Sequence, residues 1–341
     1  MKLNDIKITP LLDTLRLEDI SDEEYFSEKY SDYVSNSRLS LINPEQGGSP
    51  EDYFITRPKE YSDSLILGSA VHGLILQPDD YVLVEGVNRP TAKAGYMADF
   101  LYNKGKVPTD EEIIHASDVI DYYKGKMNDK KIADLKDKSL EYWKTRAIWE
   151  DRNKEELRTP IFLDEKKRDT VKGMVKAFTS FKDFTNLLNP SYLVEKPHSG
   201  NEKTILLDVV AEVPDFEPIT LRLKSKLDNY VLDIESNKVI VNDIKTTSKP
   251  VNWFKSAFTK YHYYRELGMY SWLIKLAAEK FYDFKNPKSE ANCLVIETFP
   301  EYNSIVYNVS ANEIMHGFNE FKVLLKLVAY YKAKGYDVPR T

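Results

Sequence analysis

Asp228, Asp243 and Lys245 are the residues of this chain whose types and spacing could do chemistry. Asp228 ends an alternating run and lies in Lys224-Ser-Lys-Leu-Asp-Asn-Tyr230; Asp243 and Lys245 lie near the end of another run, Lys238 to Thr246. Side chains alternate faces along a strand, so Asp243 and Lys245 point one way and Ile244 the other. Two carboxylates and an ammonium converging at a sheet edge are costly unless a cation joins them. Two carboxylates suit a hard divalent ion such as Mg²⁺, with Mn²⁺ as a substitute. Water and phosphate oxygens would complete its octahedron. A lysine beside such an ion can hold or activate an attacking water, which is the chemistry of metal-assisted phosphodiester hydrolysis.

A sheet must position these residues. Strands are expected at 192–196, 204–213, 219–227, 230–234, 238–246, 291–299 and 303–309, with an aromatic-rich helix over 261–282 between them. Ser310 with Glu313 three residues on has the capping-box pattern and opens a final helix to about Lys334. Strands, a helix, more strands and a helix give an α/β fold, a central mixed sheet flanked by helices. Residues 1–34 read as an irregular or weakly helical leader. Residues 35–188 are mainly helical, with Asp110 to Lys131 and Glu165 to Leu187 the clearest periods and Lys124 to Lys138 highly charged and exposed. Residues 189–341 hold the sheet and the last helix, either as a separate domain or as one continuous unit with what precedes.

A short acid-X-Lys pattern is common on solvated strand edges, so its company in the chain matters. Leu67-Gly-Ser-Ala-Val-His-Gly-Leu-Ile-Leu-Gln-Pro78 reads as a helix through Val71, Leu74 and Ile75, stopped by Pro78, with His72 inside it. Upstream stands Ser35-Asn-Ser-Arg-Leu-Ser-Leu41, followed by Ser49-Pro-Glu-Asp-Tyr53. These segments, with Lys224-X-Lys226-X-Asp228 and Asp243-Ile244-Lys245, resemble the exonuclease VIII family, the phage and prophage recombination exonucleases of the PD-(D/E)XK nuclease superfamily. The resemblance runs from about Ser35 to about Leu276. It departs from the family at Lys226, where the family has Arg, and at Leu227, where it has Pro. Related exonucleases also carry Gln-X-X-X-Tyr after the Asp-X-Lys strand. Here Glu266-Leu-Gly-Met-Tyr270 puts Glu266 and Tyr270 on one helix face, with Glu in place of Gln.

The resemblance implies a restriction-endonuclease-like core. It implies that Asp228 and Asp243, with Glu195 and the backbone carbonyl of Ile244, hold one or two Mg²⁺ ions. His72 would ligate the second metal or contact the phosphate, and Lys245 would position the water. Glu195 lies in Pro190-Ser-Tyr-Leu-Val-Glu-Lys-Pro197, a short strand before a turn. Asp208 and Glu212 compete for its role, and Glu202 and His198 read as loop residues. The implied activity is hydrolysis of linear double-stranded DNA, 5′→3′, in phage-type recombination. A ring-shaped homo-oligomer threading the duplex and a single-strand annealing recombinase as partner are implied with it. A structure- or site-specific endonuclease on the same core is the alternative, and a DNA-binding protein that lost activity is a third.

Composition bounds these readings. The formal net charge is −6, which argues against general coating of DNA and leaves room for a local basic track. Lys245, Lys249, Lys255 and Lys260 form one, with no acid between them and Trp253, Phe254 and Phe258 interleaved. Arg222, Lys224 and Lys226 lie just before Asp228. Phosphate contact is expected of Lys224, Lys226, Lys249, Lys255 and Lys260, and substrate contact of Glu266 and Tyr270. Cys293 is the single cysteine and excludes a disulfide framework and a protein-held iron–sulfur cluster. No apolar run approaches bilayer length and no signal-peptide pattern opens the chain, so a soluble protein without membrane contact is expected; the resemblance implies the cytoplasm of a bacterial host cell. No phosphate-cradling glycine loop is present, which speaks against ATP-driven activity.

Overall fold

The computed structural model describes residues 3–55, 62–102, 107–120, 127–190 and 198–336. They fall into two compact units, 1–56 with 178–297 and 303–341, and 57–177 with 298–302.

The first unit is built on six strands. β1 (Lys7–Glu18), β2 (His198–Glu212), β3 (Ile219–Asp233), β4 (Lys238–Thr247), β5 (Lys288–Glu297) and β6 (Ser304–Val309) lie side by side in chain order. All neighbours are antiparallel except β4 and β5, which are parallel. Parallel neighbours need a crossover. Here it consists of α1 (Phe254–Lys260) and α2 (Tyr263–Phe281). The sheet is therefore mixed and helix-flanked. α3 (Ala311–Ala333) opens on the expected capping box: Ser310 N donates to Glu313 Oε2 at 2.8 Å and Glu313 N donates to Ser310 Oγ at 3.3 Å. α2 and α3 approach closely because Gly268 and Gly317 face each other's helix. A Cβ on Gly317 would fall 1.8 Å from the Tyr264 carbonyl oxygen.

Three strands differ from the sequence expectation: β2 begins at His198 rather than 204, so His198 and Glu202, expected in a loop, lie in a strand. The leader carries β1, twelve residues long, as one edge of the sheet. Its alternation is weak, and Pro10 is tolerated because an edge strand has one side free of ladder donors. The runs 219–227 and 230–234 are one strand, continuous through Asp228 and Asn229.

The reason for that continuity is a row of asparagines. Asn201 faces Asn229, Asn229 faces Asn242, and Asn242 faces Asn292 across β2, β3, β4 and β5. Asn229 Nδ2 donates to Asn201 Oδ1 at 2.8 Å, Asn242 Nδ2 to Asn229 Oδ1 at 2.8 Å, and Asn292 Nδ2 to Asn242 Oδ1 at 2.9 Å. Asn229 and Asn242 also donate to the carbonyls of Leu188 and Leu187 at the end of the helix Lys182–Leu188. A buried polar row must be satisfied to be stable, and satisfaction here requires one register. A slip of one residue in any strand would break the chain of bonds. The hydrophobic core comes from Leu207, Val209, Leu223, Val239 and Val241 of the sheet with Leu267, Leu273, Phe321 and Leu325 of α2 and α3.

The second unit is helical. It contains the helices Asp63–Leu76, Ala92–Phe100, Asp110–Ile120 and Asp129–Arg152 and a two-stranded parallel pair, Tyr81–Leu83 with Thr159–Ile161. The period expected over Asp110 to Lys131 is thus two helices, and 121–126 lie outside the described residues. The period over Glu165 to Leu187 breaks at Phe181, whose backbone is extended, into Glu165–Ser180 and Lys182–Leu188. Val84, Met97, Ile113, Ile132, Leu135 and Tyr142 form the core of this unit. Among the described residues no helix is long and apolar enough to cross a membrane.

Candidate active site

One residue beyond the asparagine row, three acids stand on three adjacent strands. The register that pairs Asn201 with Asn229 and Lys203 with Leu227 sets Glu202 opposite Asp228. The pairing of β3 with β4 ends at Asn229 and Asn242, so Asp228 and Asp243 are the next positions outward. There the strands part. Ile244 N donates to the Asp228 carboxylate, at 2.7 Å to Oδ2. A carboxylate oxygen of Glu202 lies within 4.8 Å of one of Asp228. Like charges directly opposite on a sheet are destabilising, and three acids so placed favour a bound cation.

Lys245 is held among them. Its ammonium lies 2.8 Å from Asp243 Oδ2 and donates to Glu266 Oε2 at 3.0 Å. Tyr270 OH donates to Glu266 Oε1 at 3.1 Å, and the Tyr263 ring lies 4.8 Å from the ammonium. α2 supplies Glu266 and Tyr270 one turn apart, and the crossover from β4 brings that turn over the end of the strand. Asp243 is 2 % exposed. Burial pushes its carboxyl above the ordinary carboxylate range; Lys245 pulls it back, and Glu266 and Asp228 push it up again. Burial alone would lower Lys245. The carboxylates of Asp243, Glu266 and Asp228 outweigh it and hold the ammonium well above its ordinary value.

The donor set fits a hard divalent cation. Asp243 Oδ2 is buried, and the charged group beside it is the Lys245 ammonium at 2.8 Å. Asp228, Asp243 and Glu202 offer oxygen ligands of the type that Mg²⁺ and Mn²⁺ take.

Glu202 is the residue that sequence reasoning missed. It lies inside β2, with a left-handed backbone (φ 52°). A signal for it is present in the sequence: Asn201-Glu202, Asp228-Asn229 and Asn242-Asp243 are three asparagine–acid pairs, reversed in the middle strand as antiparallel pairing demands. Asp208 and Glu212 lie six and ten residues further along β2, about 20 Å and more away at the strand rise, with Asp208 opposite Arg222. Glu195 and the strand expected at 192–196 lie outside the described residues. His72 lies on the helix Asp63–Leu76 of the second unit and is half-buried. Its role stands on the resemblance alone.

The basic residues before Asp228 do not form an open phosphate track. Lys224 is 7 % exposed; its ammonium donates to the Tyr25 carbonyl at 2.7 Å and lies 4.3 Å from the Tyr25 ring. Burial pulls its pKa down to about 8, and Arg38 adds to the effect. Lys226 pairs with Asp22 at 2.5 Å and with Glu202 at 3.4 Å. Arg222 pairs with Asp32, and Lys203 with Asp19. The acid-rich segment from Asp19 to Asp32 therefore covers this face of β3, with Tyr25, Tyr30 and Tyr33 packed beneath it. Phosphate contact expected of Lys224 meets a buried, engaged ammonium, and Lys226 serves two carboxylates. Lys249, Lys255 and Lys260 are exposed on the segment after β4. Of the aromatics interleaved with them, Phe254 and Phe258 are core and Trp253 is exposed.

No protein-family pattern matches the chain, and no curated protein sequence matches it. A crystal structure of a "Putative exonuclease" from Eubacterium rectale is similar at a TM-score of 0.40 and 10 % identity, over 94 % of this chain and 89 % of that chain. A likeness that slight speaks for neither activity nor substrate.

Proposed function

We propose that this chain is a metal-dependent deoxyribonuclease that hydrolyses phosphodiester bonds from the ends of linear double-stranded DNA. The observation that carries the reading is the placement of Glu202, Asp228 and Asp243 at adjoining positions of three neighbouring strands, with Lys245 paired to Asp243 and Glu266. Asp228, Asp243, Glu202 and the Ile244 carbonyl would hold Mg²⁺, which when bound supplies charge neutralisation at the phosphate and lowers the pKa of a bound water. Lys245 keeps its proton and offers it as a hydrogen-bond donor to the water or to a phosphate oxygen. Glu266, fixed by Tyr270, orients that ammonium. Buried Asp243 and the Asp228 carboxylate, held by Ile244 N, are fixed before substrate arrives, so little reorganisation is needed at reaction.

Attack at ends rather than within the duplex, 5′→3′ polarity and a role for His72 follow from the resemblance to exonuclease VIII in the segment Leu67 to Pro78. Lys249, Lys255 and Lys260 supply exposed cations on the chain leaving β4, suited to phosphates. The test is incubation of the pure protein with linear and covalently closed duplexes, with Mg²⁺ and with EDTA. Release of nucleotides from the linear duplex only, and only with metal, is expected. Nicking of the closed circle at a comparable rate would favour the endonuclease, and no metal-dependent hydrolysis of either would remove the nuclease reading.

A further inference from the structure

Tyr261 and Tyr263 are two residues apart, yet their rings lie 5.8 Å apart at 38°. Residues at that spacing do not face each other on a helix. The residue between them makes the contact possible. His262 has a left-handed backbone (φ 55°, ψ 40°), an uncommon conformation for a non-glycine residue, and it breaks α1 from α2.

Buried groups hold this break. The Glu320 carboxylate lies 2.8 Å and 3.1 Å from His262 Nδ1, and Tyr264 OH lies 2.7 Å from the same nitrogen. Arg265, with no exposed surface, donates to Glu320 at 3.0 Å and also to Asn36, Ser40 and Gln46. A residue in this conformation persists where its surroundings over-determine it.

The break presents a ladder of rings leading away from the candidate site. The Lys245 ammonium lies 4.8 Å from the Tyr263 ring, and Tyr263 stacks on Phe254 at 17°. The Tyr261 ring is the next step outward and is 52 % exposed, with the Lys260 ammonium 5.3 Å from its centroid. One exposed tyrosine is ordinary on a protein surface. An exposed ring beside a lysine, two ring contacts from a phosphate-handling ammonium, has the chemistry that binds unpaired nucleotides: a flat π-face for the base and a cation for the backbone.

We propose that Tyr261 is a stacking platform for an unpaired base of the DNA strand whose phosphate lies at Lys245, with Lys260 on the adjoining backbone. The ligand class is single-stranded DNA, bound without sequence preference. The proposal rests on the nucleic-acid reading of the site and deepens it by naming where the strand lies.

The test is binding of a fluorescent single-stranded oligonucleotide carrying 2-aminopurine, with Ca²⁺ in place of Mg²⁺. Wild type, Tyr261→Phe, Tyr261→Leu and Tyr261→Ala are compared, with melting temperatures as a check of folding. Stacking is worth enough that Tyr261→Ala should bind at least about fivefold more weakly. Tyr261→Phe should bind as wild type does and quench 2-aminopurine equally. Tyr261→Leu should lose the quenching. Wild-type affinity in Tyr261→Ala, undiminished quenching in Tyr261→Leu, or no oligonucleotide binding by wild type would each overturn the proposal. Absence of Mg²⁺-dependent hydrolysis would instead overturn the nuclease reading, and the binding comparison would still decide on Tyr261.

Discussion

Lys245 Nζ donates to Glu266 Oε2 at 3.0 Å while lying 2.8 Å from Asp243 Oδ2. A glutamate at this position, where the sequence reading expects glutamine, has a consequence for charge. Lys245 faces Asp243 and Glu266 together, so its proton is held by two carboxylates rather than by a carboxylate and an amide.

Glu266→Gln can keep an acceptor for Lys245, with its NH2 turned to the Tyr270 oxygen, which can accept, so the main loss is the charge. An ammonium bonded to a carboxylate exceeds the same ammonium bonded to an amide oxygen by about 1 kcal/mol. The expected loss in kcat/KM for nucleotide release is therefore about fivefold. Glu266→Ala removes the acceptor as well and should cost about tenfold to a hundredfold. Equal losses in the two variants would show that the acceptor geometry contributes nothing.

Glu202 lies 3.4 Å from the Lys226 ammonium and faces the Asp228 carboxylate. In EDTA, Glu202→Gln should melt no lower than wild type, because a like-charge pair is relieved and Lys226 keeps its bond to Asp22. A metal at a hundredfold its Kd adds about 2.7 kcal/mol to folding stability. Wild type should gain several degrees on addition of Mg²⁺ or Mn²⁺, and Glu202→Gln should gain less. The same gain in both proteins would take Glu202 out of the metal site.

Lys224 carries a pH dependence of known sign. Its folded pKa is about 8 and its ordinary value 10.5. Between these values the unfolded chain binds more protons than the folded one, so this group's contribution to stability rises with pH. Below pH 8 both states are protonated, and burying the cation costs the folded state in full. Lys224→Met keeps the stem and removes the charge. Its melting temperature relative to wild type should fall as pH rises from 8 to 10. A difference independent of pH over that window would contradict the assignment of a depressed pKa.

Much of this was legible in the sequence. The period of two around Asp243 and Lys245 placed both on one face of a strand, and the Glu266–Tyr270 spacing placed both on one turn of a helix. Those inferences need only local geometry. Glu202 was not legible as a site residue because its meaning depends on pairing with a strand that follows a turn. Only the repeated asparagine–acid pairs hint at it. The burial of Lys224 was not legible either. Its cover, Tyr25, comes from 199 residues earlier in the chain, within a leader that reads as irregular. β1 escaped for a related reason: an edge strand buries little, so its pattern is faint. Tyr261 was hidden because its contact with Tyr263 depends on the backbone of His262, and a histidine adopts the left-handed conformation too rarely for the sequence to fix it there.

The central claim is hydrolysis at the acid row. Its most direct measurement is the rate of nucleotide release from linear duplex DNA with Mg²⁺, by wild type and by Asp243→Ala, with melting temperatures recorded for both. Asp243→Ala removes a metal ligand and leaves Lys245 its bond to Glu266, so the fold should survive and the rate should fall by at least about a hundredfold. Undiminished release by a folded Asp243→Ala protein, or no metal-dependent release by wild type, would contradict the account.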